Sequence, residues 1–414
     1  MSDSRARTPA VGFIFVTLVM LVLGFGIVVP VLPGLVTEFE HGNVAQASHD
    51  YGWLVAIFAV MQFVASPILG ALSDRFGRRK IILVALAGTG LDYLIMGFAP
   101  NLGWLFAARL VSGVTAGALA ACNAYIADVT PPEKRAQAFG LVGAAFGVGF
   151  VLGPAIGGLA GQINLRLPFF AAAGCVGLNW LYGLAVLPES LPPEKRRAFS
   201  WRRANPVGSL LLLRKFKGVL DLAGMQFVFM FGSVMLQSIW VLYTAYRYHW
   251  QTGQVGVSLA LVGVMSMIVQ GRLVKPILGW LGERRGLLVG LVLSGLVMIG
   301  YGMATQGWMI YALIVAGGFG GIAGPAAQAL ITREVPGDEQ GAVQGSLAGL
   351  NSLAAIFAPM IATWSFGYFI AADTWVHLPG IAFFEAAALL FVAAAMAWKS
   401  FRTGHHARSA AARA

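Results

Sequence analysis

The segment Arg109 to Pro154, RLVSGVTAGALAACNAYIADVTPPEKRAQAFGLVGAAFGVGFVLGP, returns in weaker form 205 residues later and ends there at Pro359. The offset pairs Gly113 with Gly318, Pro131 with Pro336, Gly140 with Gly345 and Pro154 with Pro359. Each copy holds the end of one apolar stretch, a short charged connection and the start of the next. The chain is therefore a duplicated unit with the same hairpin in each half. Two halves with a site near the bilayer midplane between them are a recurring plan of secondary transporters.

Outward from that hairpin, the apolar windows are 11–33, 51–72, 80–99, 102–127, 136–160, 167–187, 218–244, 255–281, 286–304, 307–332, 340–366 and 378–399. Each is long enough to cross a hydrocarbon layer about 30 Å thick as a helix rising about 1.5 Å per residue. With 58% hydrophobic and 11% charged residues in 414, the chain has too little polar surface for a water-soluble globule. The expected fold is an all-α integral membrane protein of 12 transmembrane helices in two pseudo-symmetric six-helix bundles. Its parts are 1–188, a linker 189–217, and 218–414 with a basic tail.

The net charge of +11 does not mark a nucleic-acid binder, because the cations sit in alternate loops and have no aromatic platform beside them. With the amino terminus inside, every Lys and Arg except Arg109, Arg166 and Arg247 falls in the tails, the inner loops or the inner helix ends. The first outer loop carries Glu38, Glu40 and Asp50 and no cation, whereas the central segment runs from Lys195, Arg196 and Arg197 through Arg202 and Arg203 to Arg214, Lys215 and Lys217. That asymmetry puts both termini in the cytoplasm. The apolar run after Arg5 and Arg7 is too long for a secretion signal and is closed by Pro30 and Pro33, so it reads as the first span. In the linker, Trp201, Leu210, Leu211 and Leu212 alternate with basic residues, as in a helix lying on anionic headgroups; a flexible connector is the other reading.

Catalytic signatures are missing. Cys122 and Cys175 lie inside spans without metal-like or redox-like spacing, and no nucleophile elbow, phosphate-cradling loop or paired-histidine motif occurs. No enzyme, metal site or cofactor is expected.

At the second inner hairpin the sequence reads Gly70-Ala-Leu-Ser-Asp-Arg-Phe-Gly-Arg-Arg-Lys80. Gly70 offers close approach of two helices and Gly77 a tight turn. Asp74 is placed to cap a helix start or to pair with an arginine. One carboxylate amid Arg75, Arg78, Arg79 and Lys80 is more than topology requires, and reads as a latch. The fifth span carries Gly149, Gly153, Pro154, Gly157 and Gly158; glycines at four-residue spacing make a flat face for packing, and Pro154 adds a kink.

These motifs resemble the major facilitator superfamily, and the fifth-span motif that of its drug/proton antiporters. Gly26-Ile-Val-Val-Pro-Val-Leu-Pro33, Leu91-Asp-Tyr93, Trp240-Val-Leu-Tyr-Thr244 and Gln340-Gly-Ala-Val-Gln-Gly345 are similar to the tetracycline-resistance branch. The resemblance implies an inner gate in which Asp74 works with Arg78 and with Asp128 at the inner end of the fourth helix. The second-half loop, Lys275 to Arg285, keeps Gly282, Arg284 and Arg285 but has no acid at the place of Asp74, which makes the latch asymmetric. Leu21, Ser266 and Ser294 stand where that branch carries two acids and a histidine, so the chain reads as a relative with another substrate.

Ionisable groups inside spans are costly and are functional candidates by default. Asp92 lies mid-way along the third span, where a buried carboxyl group can take up and release a proton. Arg109 opens the fourth span in a pattern that the resemblance ties to coupling, and Glu385 lies in the last span. In this superfamily the first, fourth, seventh and tenth helices surround the cavity, which nominates Asn123, Gln226, Gln237 and Gln328 as hydrogen-bonding groups, with Gln270, Arg272 and Asn351 beside them. The expected activity is proton-driven export of a hydrophobic or amphipathic small molecule, with the proton gradient as energy source. The setting is a bacterial inner membrane, with lipids and protons as the other partners and a monomer as the unit. A transporter of lipids or lipid-like metabolites, and more remotely a non-transporting receptor, are the alternatives.

Overall fold

The computed structural model describes residues 7–131, 134–199, 217–335 and 340–411. Among them are twelve helical spans long and apolar enough to cross a membrane, one for each window of the sequence. In a lipid interior every backbone polar group needs an internal partner, which is why long apolar runs close into helices. The spans expose large apolar side chains such as Leu159, Ile163 and Trp280 at 63%, 80% and 85%, a surface that requires lipid as its solvent.

The first span comprises α1 (Arg7–Val28) and α2 (Leu32–Phe39), the second is α3 (Val44–Phe76) and the third α4 (Arg78–Phe98). The fourth divides into α5 (Leu102–Thr115) and α6 (Ala118–Val129); α7 (Arg135–Ile163) and α8 (Leu167–Val186) complete the first half. In the second half the seventh span is α9 (Lys217–Tyr248). The eighth is α10 (Thr252–Ile268) with a π-turn (Val269–Leu273) and α11 (Val274–Leu281), and the ninth is α12 (Glu283–Met303). The tenth is α13 (Gly307–Gly318), a 3-10 turn (Phe319–Ile322) and α14 (Ala323–Arg333); α15 (Gln340–Ile370) and α16 (Ile381–Ala411) follow. The proposed surface helix, with Trp201 and Leu210 to Leu212, lies outside the described residues.

The chain forms two compact units, and two helix starts are exchanged between the sequence halves: Val44–Gly52 belongs to the second unit and Trp250–Gly263 to the first. Within the first unit, Thr252 Oγ1 donates to the Gly158 carbonyl at 3.1 Å, and a Cβ on Gly256 would lie 3.0 Å from the Gly158 Cα. Within the second, Ser48 Oγ donates to the Thr363 carbonyl at 3.0 Å. The repeat relates these contacts, since Gly158 and Ser48 advanced by 205 become Thr363 and Gly253.

The fifth-span glycines form the flat face that their spacing requires. A Cβ on Gly149 would meet Val22, one on Gly153 the Gly26 backbone, and one on Gly157 the Ile27 carbonyl, while Gly158 faces Thr252 and Gly256. Helix α7 runs through Pro154 without interruption. Gly70 departs from expectation: nothing lies within 4 Å of a Cβ placed there, so it mediates no helix approach.

Candidate gate and proton site

Gly77 adopts φ 101°, a left-handed turn between α3 and α4 that L side chains resist. A Cβ there would also strike the Glu189 carboxylate. The turn presents Arg78, 9% exposed, as the first residue of α4. Its Nη2 lies 2.6 Å from Asp74 Oδ1 at the end of α3, its Nε 3.1 Å from Asp128 Oδ2 at the end of α6, and its Nη1 donates to Ser73 Oγ at 2.6 Å. The three contacts occupy the guanidinium fork in the way that makes arginine, rather than lysine, suit such a node.

Of the two roles open to Asp74, pairing is the one it takes, because the start of α4 is capped by another acid. Glu189 Oε1, just beyond α8, accepts from the Arg78 backbone N–H at 2.8 Å and also from the N–H groups of Ser190 and Leu191. Ser190 Oγ donates to Asp128 Oδ2 at 3.2 Å, and Arg79 Nη2 to the Leu184 carbonyl at 2.8 Å. Four helix ends are thereby tied to one turn. Arg75 stays outside the cluster, exposed, with its guanidinium 5.0 Å from the Phe76 ring. Ser73, Glu189 and Ser190 were not singled out from sequence; an acid in Pro188-Glu-Ser190, directly after a span and before a basic run, was the available signal.

Further along α4, Asp92 is fully buried and meets Arg109 of α5, which is 7% exposed. The contact is long: Arg109 Nη2 lies 3.4 Å from Asp92 Oδ2 and donates also to Met96 Sδ at 2.9 Å. The guanidinium lies 5.5 Å from the Phe58 ring, and the Ser112 hydroxyl is a polar neighbour of the carboxylate. Asp92 Oδ1 and Arg109 Nε find no partner among the described residues. Two charges have been taken out of water and are only partly hydrogen-bonded. The repeat places Val297 and Ile314 at these positions in the second half, so the pair belongs to the first half alone. Glu385, the third candidate, lies in the second unit, where Ser365 Oγ donates to it at 2.9 Å.

Among the cavity candidates, Asn123 Oδ1, Gln226 Oε1 and Asn351 Oδ1 are buried acceptors without a partner among the described residues. Each has unspent hydrogen-bonding capacity, which a packing role leaves unexplained. Gln237 and Gln328 are exposed. Gln270 donates to Ser266 Oγ at 2.6 Å, and Arg272 sits exposed on the same π-turn, a distortion common at functional positions. Ser294 lies against Gly320 in the 3-10 turn of the tenth span.

The sequence pattern described as Major Facilitator Superfamily matches residues 14–359. The chain is 41% identical over 376 residues to the class C tetracycline resistance protein of Escherichia coli, covering 91% of this chain and 93% of that one. With the class G protein of Vibrio anguillarum it shares 38% identity over 338 residues, covering 82% and 85%. Among solved structures, a bacterial homologue of the human lysosomal transporter Spinster superposes with a TM-score of 0.74 at 14% identity, over 97% of this chain and 98% of that one.

Proposed function

Because this chain belongs to the major facilitator superfamily, we propose that it exports a hydrophobic or amphipathic drug-like compound in exchange for protons. The observation that carries this reading is the incompletely satisfied Asp92–Arg109 pair. Protonation of Asp92 removes its charge and releases Arg109 toward other acceptors. The same helix bears both parts of the machinery: α4 begins at Arg78 and reaches Asp92 fourteen residues later, roughly 21 Å along its axis. A movement of α4 on protonation therefore reaches the α3–α4 turn, and the Asp74–Arg78–Asp128 cluster holds that mouth shut in one state of an alternating-access cycle.

No resident cofactor enters this scheme; the proton gradient supplies the energy. Both termini face the cytoplasm of a bacterium, following the distribution of cations between loops. The name of the class C relative, tetracycline resistance, agrees with export of a drug. Asn123 in the first unit, and Gln226 and Asn351 in the second, each offer a buried acceptor, which suits a largely apolar molecule bearing a few donors.

The test is a thermal-unfolding screen of the purified protein against drug-like compounds, tetracycline included, at two pH values. Compounds whose stabilisation changes with pH are then offered to proteoliposomes under an imposed pH gradient. Accumulation supports the proposal; stabilising compounds that never accumulate refute it. A lipid-like cargo is the second reading, favoured by the exposed Arg272 within the eighth span. Flipping of a fluorescent phospholipid in the same vesicles would establish it instead.

A further inference from the structure

The second half lacks an acid at the place of Asp74, where the repeat puts Gly279, yet it is not without an ion pair. Advanced by 205, Arg78 becomes Glu283 and Asp128 becomes Arg333. These two residues meet: Arg333 Nη2 lies 2.8 Å from Glu283 Oε1. The turn is repeated as well, since Gly77 advances to Gly282, whose φ of 75° again lies in the left-handed region directly before the charged residue. Turn, first helical residue and partner at the end of the next span all coincide under one offset, and only the signs of the charges differ. A surface ion pair formed by chance has no reason to keep that register.

The surroundings differ in a way that bears on use. In the first half the hub, Arg78, has contacts along the whole of its fork. In the second the hub is Glu283, whose side chain is 19% exposed; one carboxylate oxygen holds Arg333, and Oε2 is buried without a partner among the described residues. Arg333 itself is 72% exposed, and the pair borders an open cavity of about 560 Å³ that Leu330, Arg284 and Arg285 also line. An exposed arm over a cavity is readily released.

We propose that Glu283 and Arg333 form a second, charge-reversed latch that holds the α12 start to the α14 end, and that it opens more easily than the Arg78 cluster. Nothing in this proposal rests on the cargo or on proton coupling, so its test can fail while the transport reading stands, and the reverse.

The test uses full-length purified protein with Cys122 and Cys175 replaced by alanine and one reporter, Leu330→Cys, in the cavity wall. The rate of reaction with a hydrophilic maleimide reports local opening. Glu283→Gln and Arg333→Gln each raise it fivefold or more, whereas the exchange Glu283→Arg with Arg333→Glu, which gives the pair the polarity of the first half, returns it to within twofold of the parent. Single variants that react no faster than the parent, or an exchange variant as fast as the singles, overturn the proposal. If Leu330→Cys does not yield a monodisperse protein, Leu281→Cys on the same cavity is the reporter and the same outcomes decide.

Discussion

In the proposed gate Arg78 is the hub, because three acceptors converge on its planar cation where a lysine offers only a point charge. Arg78→Lys is expected to lower transport at least about tenfold, about 1.4 kcal/mol in activation free energy, while the purified protein still elutes as a single species. Arg78→Gln leaves the Asp74 and Asp128 carboxylates without their cation; both side chains are partly exposed, at 37% and 26%, so water screens the loss and the cost is about 1 kcal/mol, seen as a small fall in melting temperature. Glu189→Gln keeps an acceptor for the α4 start but loses the charge, and a loss of transport smaller than that of Arg78→Lys is the expected result in the same assay. Much of this was legible in the sequence: Asp74, Arg78 and Asp128 are found by motif, Asp92 and Arg109 by the cost of charge in lipid. That the last two meet was not legible, because it depends on how α4 and α5 are rotated, and apolar-all-round helices give no periodic signal of facing. Glu189 was missed for a related reason, since a single acid in a loop has no pattern until the fold brings a helix start to it.

At the scale of elements, glycine spacing read two helices with unequal success. The Gly149, Gly153 and Gly157 ladder is pressed against the α1 backbone, so Gly157→Val forces the Ile27 carbonyl aside at a cost of about 1–3 kcal/mol or more. Gly70 faces open space, and Gly70→Ala leaves melting temperature and transport unchanged. Thermal unfolding of the two purified variants side by side checks the contrast; an equal loss in both would mean that the ladder is not special. Spacing alone could not separate them, because a glycine records freedom to approach and not whether a neighbour has come. Breaks within spans were likewise invisible beforehand. The fourth span opens at Ala116–Gly117, and the repeat sends this pair to Gly321–Ile322, inside the 3-10 turn that breaks the tenth. Interrupted helices at matching places in two halves are where transporters of several folds build their sites, which adds weight to Asn123 just beyond the first break.

For the whole molecule, duplication and span count follow from the sequence alone, because a lipid solvent leaves helices as the only shape for twelve apolar runs in this chain. The exchange of helix starts between the two compact units has no signature in the sequence, because the contacts that define it, Thr252 with Gly158 and Ser48 with Thr363, join residues 94 and 315 apart in the chain. Coupling is a property at this scale, for it requires that occupancy of one buried carboxyl group decide what the halves do together. The decisive measurement compares wild type and Asp92→Asn in proteoliposomes with one transported compound, first as exchange at equal pH and then as accumulation under a pH gradient. Exchange should persist in the variant and accumulation should vanish. Uphill accumulation by Asp92→Asn at the wild-type level would show that the proton is carried elsewhere.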